Sequence, residues 1–237
     1  MFRDFVSREI ETNVSTVFVR SSGSGPPLLL LHGFPETHLM WRDVAPVLAQ
    51  DFTVVCADLP GYGQSGCPAS TPRHTSHSKR AMAQQMSQVM SRLGFERFSV
   101  AGHDRGGRVA YRLALDHPDR IDKLAVLDVL PVEIVWERAD ARFALVPLPQ
   151  SIANMTKQTA PPGAARRRIA CSVLVLWSAN GALDQWYEAE GGSLQLWRSL
   201  ANDVQGRAVK AGHFFPEECS EETAQAFRTC FKVEPPA

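Results

Sequence analysis

A chain of 237 residues with 44% apolar and 21% charged side chains can bury a substantial core, which excludes a disordered or fibrous protein. Lys plus Arg and Asp plus Glu each number 25, so the net charge is zero and no overall field draws the chain to nucleic acid or an anionic membrane. The most apolar run, residues 28–31, is too short to span a bilayer, and residues 1–11 are broken by Arg3, Asp4, Arg8 and Glu9, so neither a signal peptide nor an anchor is expected.

In chain order, residues 14–20 alternate and predict a strand, followed by a Ser/Gly/Pro turn over 21–27. The aliphatic run 28–32 predicts a strand buried on both faces. Residues 40–49 predict a helix, 54–58 a strand, and 79–93 a longer helix ended by Gly94. A strand at 98–102, a helix at 105–117 and a strand at 124–128 follow. This alternation predicts an α/β fold, a mostly parallel central sheet flanked by helices with right-handed crossovers. Between 130 and 171, Pro131, Pro147, Pro149, Pro161 and Pro162 prevent one long helix and predict a partly helical insertion. The expected division is a core of 1–129 and 172–237 with a cap insertion of 130–171. Strands at 173–177 and 204–209 and an amphipathic helix at 221–231 complete the pattern.

The strongest chemical signal is Gly102-His103-Asp104-Arg105-Gly106-Gly107, between a predicted strand and a predicted helix. Small residues on both sides allow a sharp turn that lifts one side chain above the sheet edge. That side chain is the Asp104 carboxylate, and no G-x-S-x-G occurs elsewhere. A carboxylate attacking a carbonyl gives an unproductive anhydride, whereas attack on a saturated carbon bearing a leaving group gives an alkyl ester. The ordinary alternative for Asp104 is a helix N-cap; the flanking glycines favour the nucleophile. An ester requires a base to activate water and a group to orient that base. His213, in Gly212-His213-Phe214-Phe215-Pro216, is the candidate base. Asp128, closing a strand, is the preferred acid over Asp184.

The turn His32-Gly33-Phe34-Pro35 can aim backbone N–H groups into the same mouth, with Phe34 lining the cavity. Arg105 and Arg108 share one face of the helix and can clamp a substrate carboxylate, although helical arginines commonly form surface ion pairs. His103 and Trp136 complete the expected substrate-binding set. The five cysteines, Cys56, Cys67, Cys171, Cys219 and Cys230, lack paired spacing and predict reduced thiols, no zinc site and a cytoplasmic setting. His74 and His77 lie in a polar loop without a further ligand and predict solvent exposure, as do Arg166, Arg167 and Arg168. No metal or organic cofactor is required by this chemistry.

Through Gly23-Ser24-Gly25-Pro26-Pro27-Leu28, His32-Gly33-Phe34-Pro35-Glu36-Thr37-His38, Asp58-Leu59-Pro60-Gly61-Tyr62-Gly63, the Asp104 turn, Leu127-Asp128-Val129-Leu130-Pro131, Asp203-Val204-Gln205-Gly206 and Gly212-His213-Phe214, the sequence resembles the haloacetate (fluoroacetate) dehalogenases of the α/β-hydrolase superfamily. The resemblance implies an α/β-hydrolase fold with Asp104 as nucleophile, His213 as water-activating base, Asp128 as its partner, and Arg105 and Arg108 holding a small carboxylate. It also implies a helical lid whose His-Trp pair and Tyr meet the departing halide. Here 130–171 is brief and contains neither Tyr nor His; Trp136 and Arg142-Phe143-Ala144-Leu145 resemble only the beginning of that lid. A reduced cap is therefore expected, with Trp177, Trp186 and Tyr187 as candidate replacements. Two other readings stand beside this one: an epoxide hydrolase, which needs lid phenols where the tyrosines are Tyr62, Tyr111 and Tyr187, the first two in core-like patterns; and a lid-depleted protein that binds a small carboxylate with weak or no turnover. The expected partner is a small-molecule carboxylate, not nucleic acid or membrane, and a homodimer is compatible with the reading.

Overall fold

The computed structural model describes residues 2–137, 167–179, 181, 183, 187–188 and 191–232. Its strands are β1 (Val6–Glu11), β2 (Thr16–Ser22), β3 (Pro27–Leu31), β4 (Thr53–Ala57), β5 (Phe98–His103), β6 (Ile121–Leu127), β7 (Ser172–Ser178) and β8 (Val204–Val209). They form one 8-stranded sheet in the order β1-β2-β4-β3-β5-β6-β7-β8. β2 pairs antiparallel with both β1 and β4, and every other pairing is parallel. The helices are α1 (Ala45–Leu48), α2 (Lys79–Arg92), α3 (Asp104–Asp116), α4 (Val132–Glu137), α5 (Gly192–Arg198), α6 (Phe215–Glu218) and α7 (Ser220–Phe231).

The β3 run explains the two-sided architecture. Alternate side chains of a strand face opposite ways, so Leu29 and Leu31 join Met86 and Val109 in one core while Leu28 and Leu30 join Trp41 and Phe227 in the other. All four leucines are fully buried, and burying each stabilises the fold by about 1.5–3 kcal/mol. α2 starts where the Ser78 hydroxyl accepts the Ala81 N–H at 3.1 Å. It stops before Gly94, whose φ of +90° suits glycine. Parallel strands carry their C-terminal ends to one edge of the sheet, where sites of open α/β folds lie.

Three local expectations are corrected. β1 is absent from the predicted elements because its side chains are nearly all exposed. Backbone pairing to β2 holds it, and that leaves no hydrophobic alternation to read. The expected 40–49 helix is a 3-10 turn (His38–Trp41) followed by the short α1, with Pro46 near its start. α5 falls in a stretch for which no element was predicted. His74 and His77 lie in a 3-10 segment (Pro72–His77), and no metal-ligating cluster occurs among the described residues. No described helix is long and apolar enough to cross a membrane.

Candidate active site

β5 passes into α3 without a loop, and Asp104, the first helical residue, has a φ of +43°. This left-handed backbone costs a non-glycine residue about 1–2 kcal/mol. Glycines make the turn possible. A Cβ on Gly102 would lie 2.4 Å from the Gly106 carbonyl carbon, and one on Gly106 would lie 2.4 Å from the Leu31 carbonyl oxygen. The N-terminus of α3 therefore sits directly against β3 and β5. Asp104 does not behave as an ordinary cap. The cap position is His103, which makes no side-chain capping bond, and the Asp104 Oδ2 instead accepts the Phe34 N–H at 3.1 Å.

Burial works to raise the Asp104 carboxyl pKa. The charge of His103, the Arg108 guanidinium, the Phe34 N–H and His213 together outweigh it and hold the group below the usual carboxylate range. A half-buried carboxylate at this turn is thus kept ionised.

His213 follows β8, and Asp128 follows β6. The His213 Nδ1–H donates to Asp128 Oδ2 at 2.5 Å. Asp128 Oδ1 accepts the Ser178 N–H at 3.0 Å, so the end of β7 fixes the carboxylate. Asp128 has a φ of +48°, a conformation that Asp tolerates better than most residues. The histidine loop is pinned twice, by the Ser178 hydroxyl donating to the Ala211 carbonyl at 2.6 Å and by the Gly212 N–H donating to Glu218 Oε2 at 2.8 Å. The Asp128 side chain is 7% exposed and that of His213 is 38% exposed. With Nδ1 committed as donor to an acceptor-only carboxylate, Nε2 carries the lone pair.

Residues 102–108 place further groups around this pair. The Arg105 guanidinium lies 4.5 Å from the Phe34 ring centroid and 6.0 Å from that of Tyr62, and it donates to the Tyr62 hydroxyl. Arg108 is half-buried on the same helix, and its charge reaches Asp104. Phe34, at 36% exposure, is open to the solvent side. His32, directly behind the turn, donates from Nδ1 to the Gly33 carbonyl at 2.8 Å and accepts the Leu59 N–H at Nε2 at 2.9 Å. Burial lowers its pKa and keeps it neutral, as that bonding pattern requires.

His103 differs from expectation. It is completely buried, so it cannot meet a substrate. Its Nε2–H donates to the His213 carbonyl at 2.8 Å, bracing the histidine loop from below. Its Nδ1 lies 3.2 Å from Glu36 Oε2, an ion-pair distance out of line for a hydrogen bond. Burial alone would lower the His103 pKa, but Glu36, Asp104 and Asp128 raise it. Glu36 was given no role from sequence; its place one residue after the His32–Pro35 turn was the available signal. Tyr62, expected in the core, packs against it half-buried and also engages Arg105 through its hydroxyl. Tyr187 lies in the core, and Trp177 packs against it. The Trp136 side chain, Arg142, Phe143, Ala144, Leu145, Arg166, Asp184 and Trp186 lie outside the described residues.

A family model described as the alpha/beta hydrolase fold matches residues 26–155. A fluoroacetate dehalogenase from Burkholderia sp is 51% identical over 140 residues, 59% of this chain and 46% of that protein. A soluble epoxide hydrolase from Corynebacterium sp. (strain C12) is 43% identical over 111 residues, 47% of this chain and 37% of that protein. The chain spans about half the length, or less, of these curated relatives. A solved structure from Nostoc sp PCC 7120, described as a candidate alpha/beta hydrolase, superposes with a TM-score of 0.87 at 37% identity and covers 99% of this chain and 100% of that one.

Proposed function

The chain belongs to the alpha/beta hydrolase fold family, and on that premise we propose that it displaces halide from a short 2-haloacid such as haloacetate through an ester on Asp104. The observation that carries this reading is an ionised carboxylate at the strand-to-helix turn, facing the Phe34 N–H and flanked by Arg105 and Arg108. The guanidinium groups hold the substrate carboxylate, which places the halogen-bearing carbon before Asp104. The free oxygen, Oδ1, attacks that carbon; the C–O bond forms as the carbon–halogen bond breaks, and the halide leaves with the bonding pair.

Hydrolysis follows at the ester carbonyl. His213 Nε2 takes one proton from water, and the resulting hydroxide adds to Cγ of Asp104. Negative charge collects on Oδ2, where the Phe34 N–H already points; such a donor is worth about 2.7–4 kcal/mol in other enzymes. Collapse breaks the Cγ–Oδ1 bond and releases the 2-hydroxy acid, whose alkoxide oxygen takes the His213 proton; Asp104 is left as the acid, carrying the water oxygen, and loses the remaining hydroxyl proton to solvent to return to the carboxylate. Asp128 stabilises the imidazolium in between. Residues 130–171 form the cap in this reading.

Epoxide opening is disfavoured because Tyr62 is engaged by Arg105, while Tyr111 and Tyr187 lie in the core. Carboxylate binding without turnover is the second reading, favoured by a 130–171 segment that lacks Tyr and His. Halide-selective detection with fluoro-, chloro- and bromoacetate, run beside calorimetry, separates the two. Halide release with transient carboxymethylation of Asp104 supports the hydrolase. Binding heat without halide release, and without modification, rejects it.

A further inference from the structure

Tyr62 stands on the loop after β4, which folds tightly around one buried carboxylate. Asp58 accepts the His38 N–H at 2.7 Å with Oδ1 and the Gln64 N–H at 2.9 Å with Oδ2. Gly63 has a φ of +52°, and a Cβ there would lie 2.2 Å from Asp58 Oδ2. Within the loop the Tyr62 N–H donates to the Leu59 carbonyl at 2.9 Å, and the Tyr62 carbonyl accepts the Ser65 N–H at 3.0 Å. The phenol ring meets the His32 ring edge-on with centroids 5.2 Å apart, and His32 Nε2 accepts the Leu59 N–H at 2.9 Å. The Tyr62 loop and the His32 turn are thus tied together, and the phenol hydroxyl is presented at a fixed place.

That hydroxyl accepts an N–H of the half-buried Arg105, whose guanidinium lies over the Phe34 ring at 4.5 Å from its centroid. A guanidinium is a rigid planar fork of N–H donors. Bonding one Nη while a ring covers one face restricts the directions in which its other donors can point. The chemical nature of the acceptor matters. A carboxylate would both orient the guanidinium and cancel its charge, whereas a neutral phenol oxygen orients it and leaves the charge for another anion. A long side chain held in place beforehand also loses less rotamer freedom when a ligand binds. The supporting ring belongs to the residue whose N–H faces Asp104 Oδ2 at 3.1 Å, so the orientation of Arg105 is referred to the nucleophile itself. We propose that Tyr62 is a positioning residue for substrate recognition, whose hydroxyl, together with the Phe34 ring, holds the Arg105 guanidinium aimed at the substrate carboxylate without neutralising it. The inference rests on the reading of Arg105 as a holder of that carboxylate.

The test uses Tyr62→Phe, which deletes the oxygen and keeps the ring that packs against the core and His32. The first readout is side-chain nitrogen NMR of Arg105, assigned by the signals missing in Arg105→Met. Separate, slowly exchanging Nη signals are expected in the native protein and averaged ones in Tyr62→Phe, with backbone amide signals away from the site unchanged. Averaged signals in the native protein would overturn the inference, as would separate signals surviving in Tyr62→Phe. The second readout is titration with acetate, a carboxylate with no leaving group, followed by NMR. Tyr62→Phe should bind acetate about 2–10-fold more weakly, the worth of one hydrogen bond, but should change affinity less than about twofold when added to Arg105→Met, because a residue acting only through Arg105 has nothing left to act through. Equal weakening in both backgrounds would show that Tyr62 acts independently of Arg105 and would overturn the inference. Binding weakened by Arg105→Met but unchanged by Tyr62→Phe would overturn the role of Tyr62 alone. Binding unaffected by Arg105→Met, or no acetate binding at all, would overturn the carboxylate-holding role of Arg105 and the inference with it.

Discussion

Asp128→Asn isolates the orienting carboxylate with little change of shape. Asn tolerates the φ of +48° found at this position, and its side-chain oxygen can still accept the Ser178 N–H that Asp128 Oδ1 accepts at 3.0 Å. What changes is the bond to His213 Nδ1, now 2.5 Å from a charged acceptor. A charge-assisted hydrogen bond is worth about 1.5–3 kcal/mol, which at about 1.4 kcal/mol per decade slows hydrolysis about 10–100-fold. The amide NH2 would also donate to Nδ1, moving the imidazole proton to Nε2, where it blocks acceptance from water. That inversion has cost about 10,000-fold in a comparable triad. Attack by Asp104 uses neither atom, so the ester should accumulate. The assay is intact mass after mixing with chloroacetate, beside steady-state halide release. One retained carboxymethyl group and slow turnover are expected. Native turnover with no ester accumulation would refute His213 and Asp128 as the water-activating pair.

Further outcomes follow from the same geometry. Arg108→Met should raise KM for chloroacetate about 10–100-fold, for loss of about 1.5–3 kcal/mol. Asp104 is held below the usual range partly by Arg108, so this variant should also move the acid limb of the kcat/KM profile to higher pH. An unmoved limb would show that the Arg108 charge does not govern Asp104. Gly106→Ala places a Cβ 2.4 Å from the Leu31 carbonyl oxygen and should destabilise by about 1–3 kcal/mol in urea unfolding; native stability would contradict the close packing beneath the turn. Asp58 is buried, which raises its pKa, but bonds from the His38 side chain, the Gln64 N–H and the His38 N–H outweigh this and lower it. A depressed folded pKa gives stability that is present above the unfolded value of about 3.9 and lost as pH falls through the folded value. Asp58→Asn should therefore be less stable at pH 7 and lose less on acidification from pH 5 to 3, measured by thermal unfolding. An acid sensitivity equal to the native protein's would exclude Asp58 as a contributor.

The central strands, α2, α3 and α7 were legible because their burial leaves a periodic trace in the chain. Four consecutive buried leucines in β3 and the glycines around Asp104 each have a single structural solution. Asp104, His213 and Asp128 could be singled out because each stands at the end of a predicted strand. β1 left no such trace, since backbone pairing to β2 holds most of it and only Ile10 among its side chains packs against the core.

Which polar groups meet could not be read from spacing. His103 looked like a substrate contact beside Asp104, yet the turn of the chain buries it under the His213 loop, 110 positions away, with Glu36 at its other side. Tyr62 packs against the core as its pattern implies, and its hydroxyl meets Arg105 from a separate loop. Local sequence dictates where the backbone bends and which faces seek the core, because those preferences act over a few residues. Long-range electrostatics depends on distances between segments far apart in the chain, and only the folded sheet fixes these.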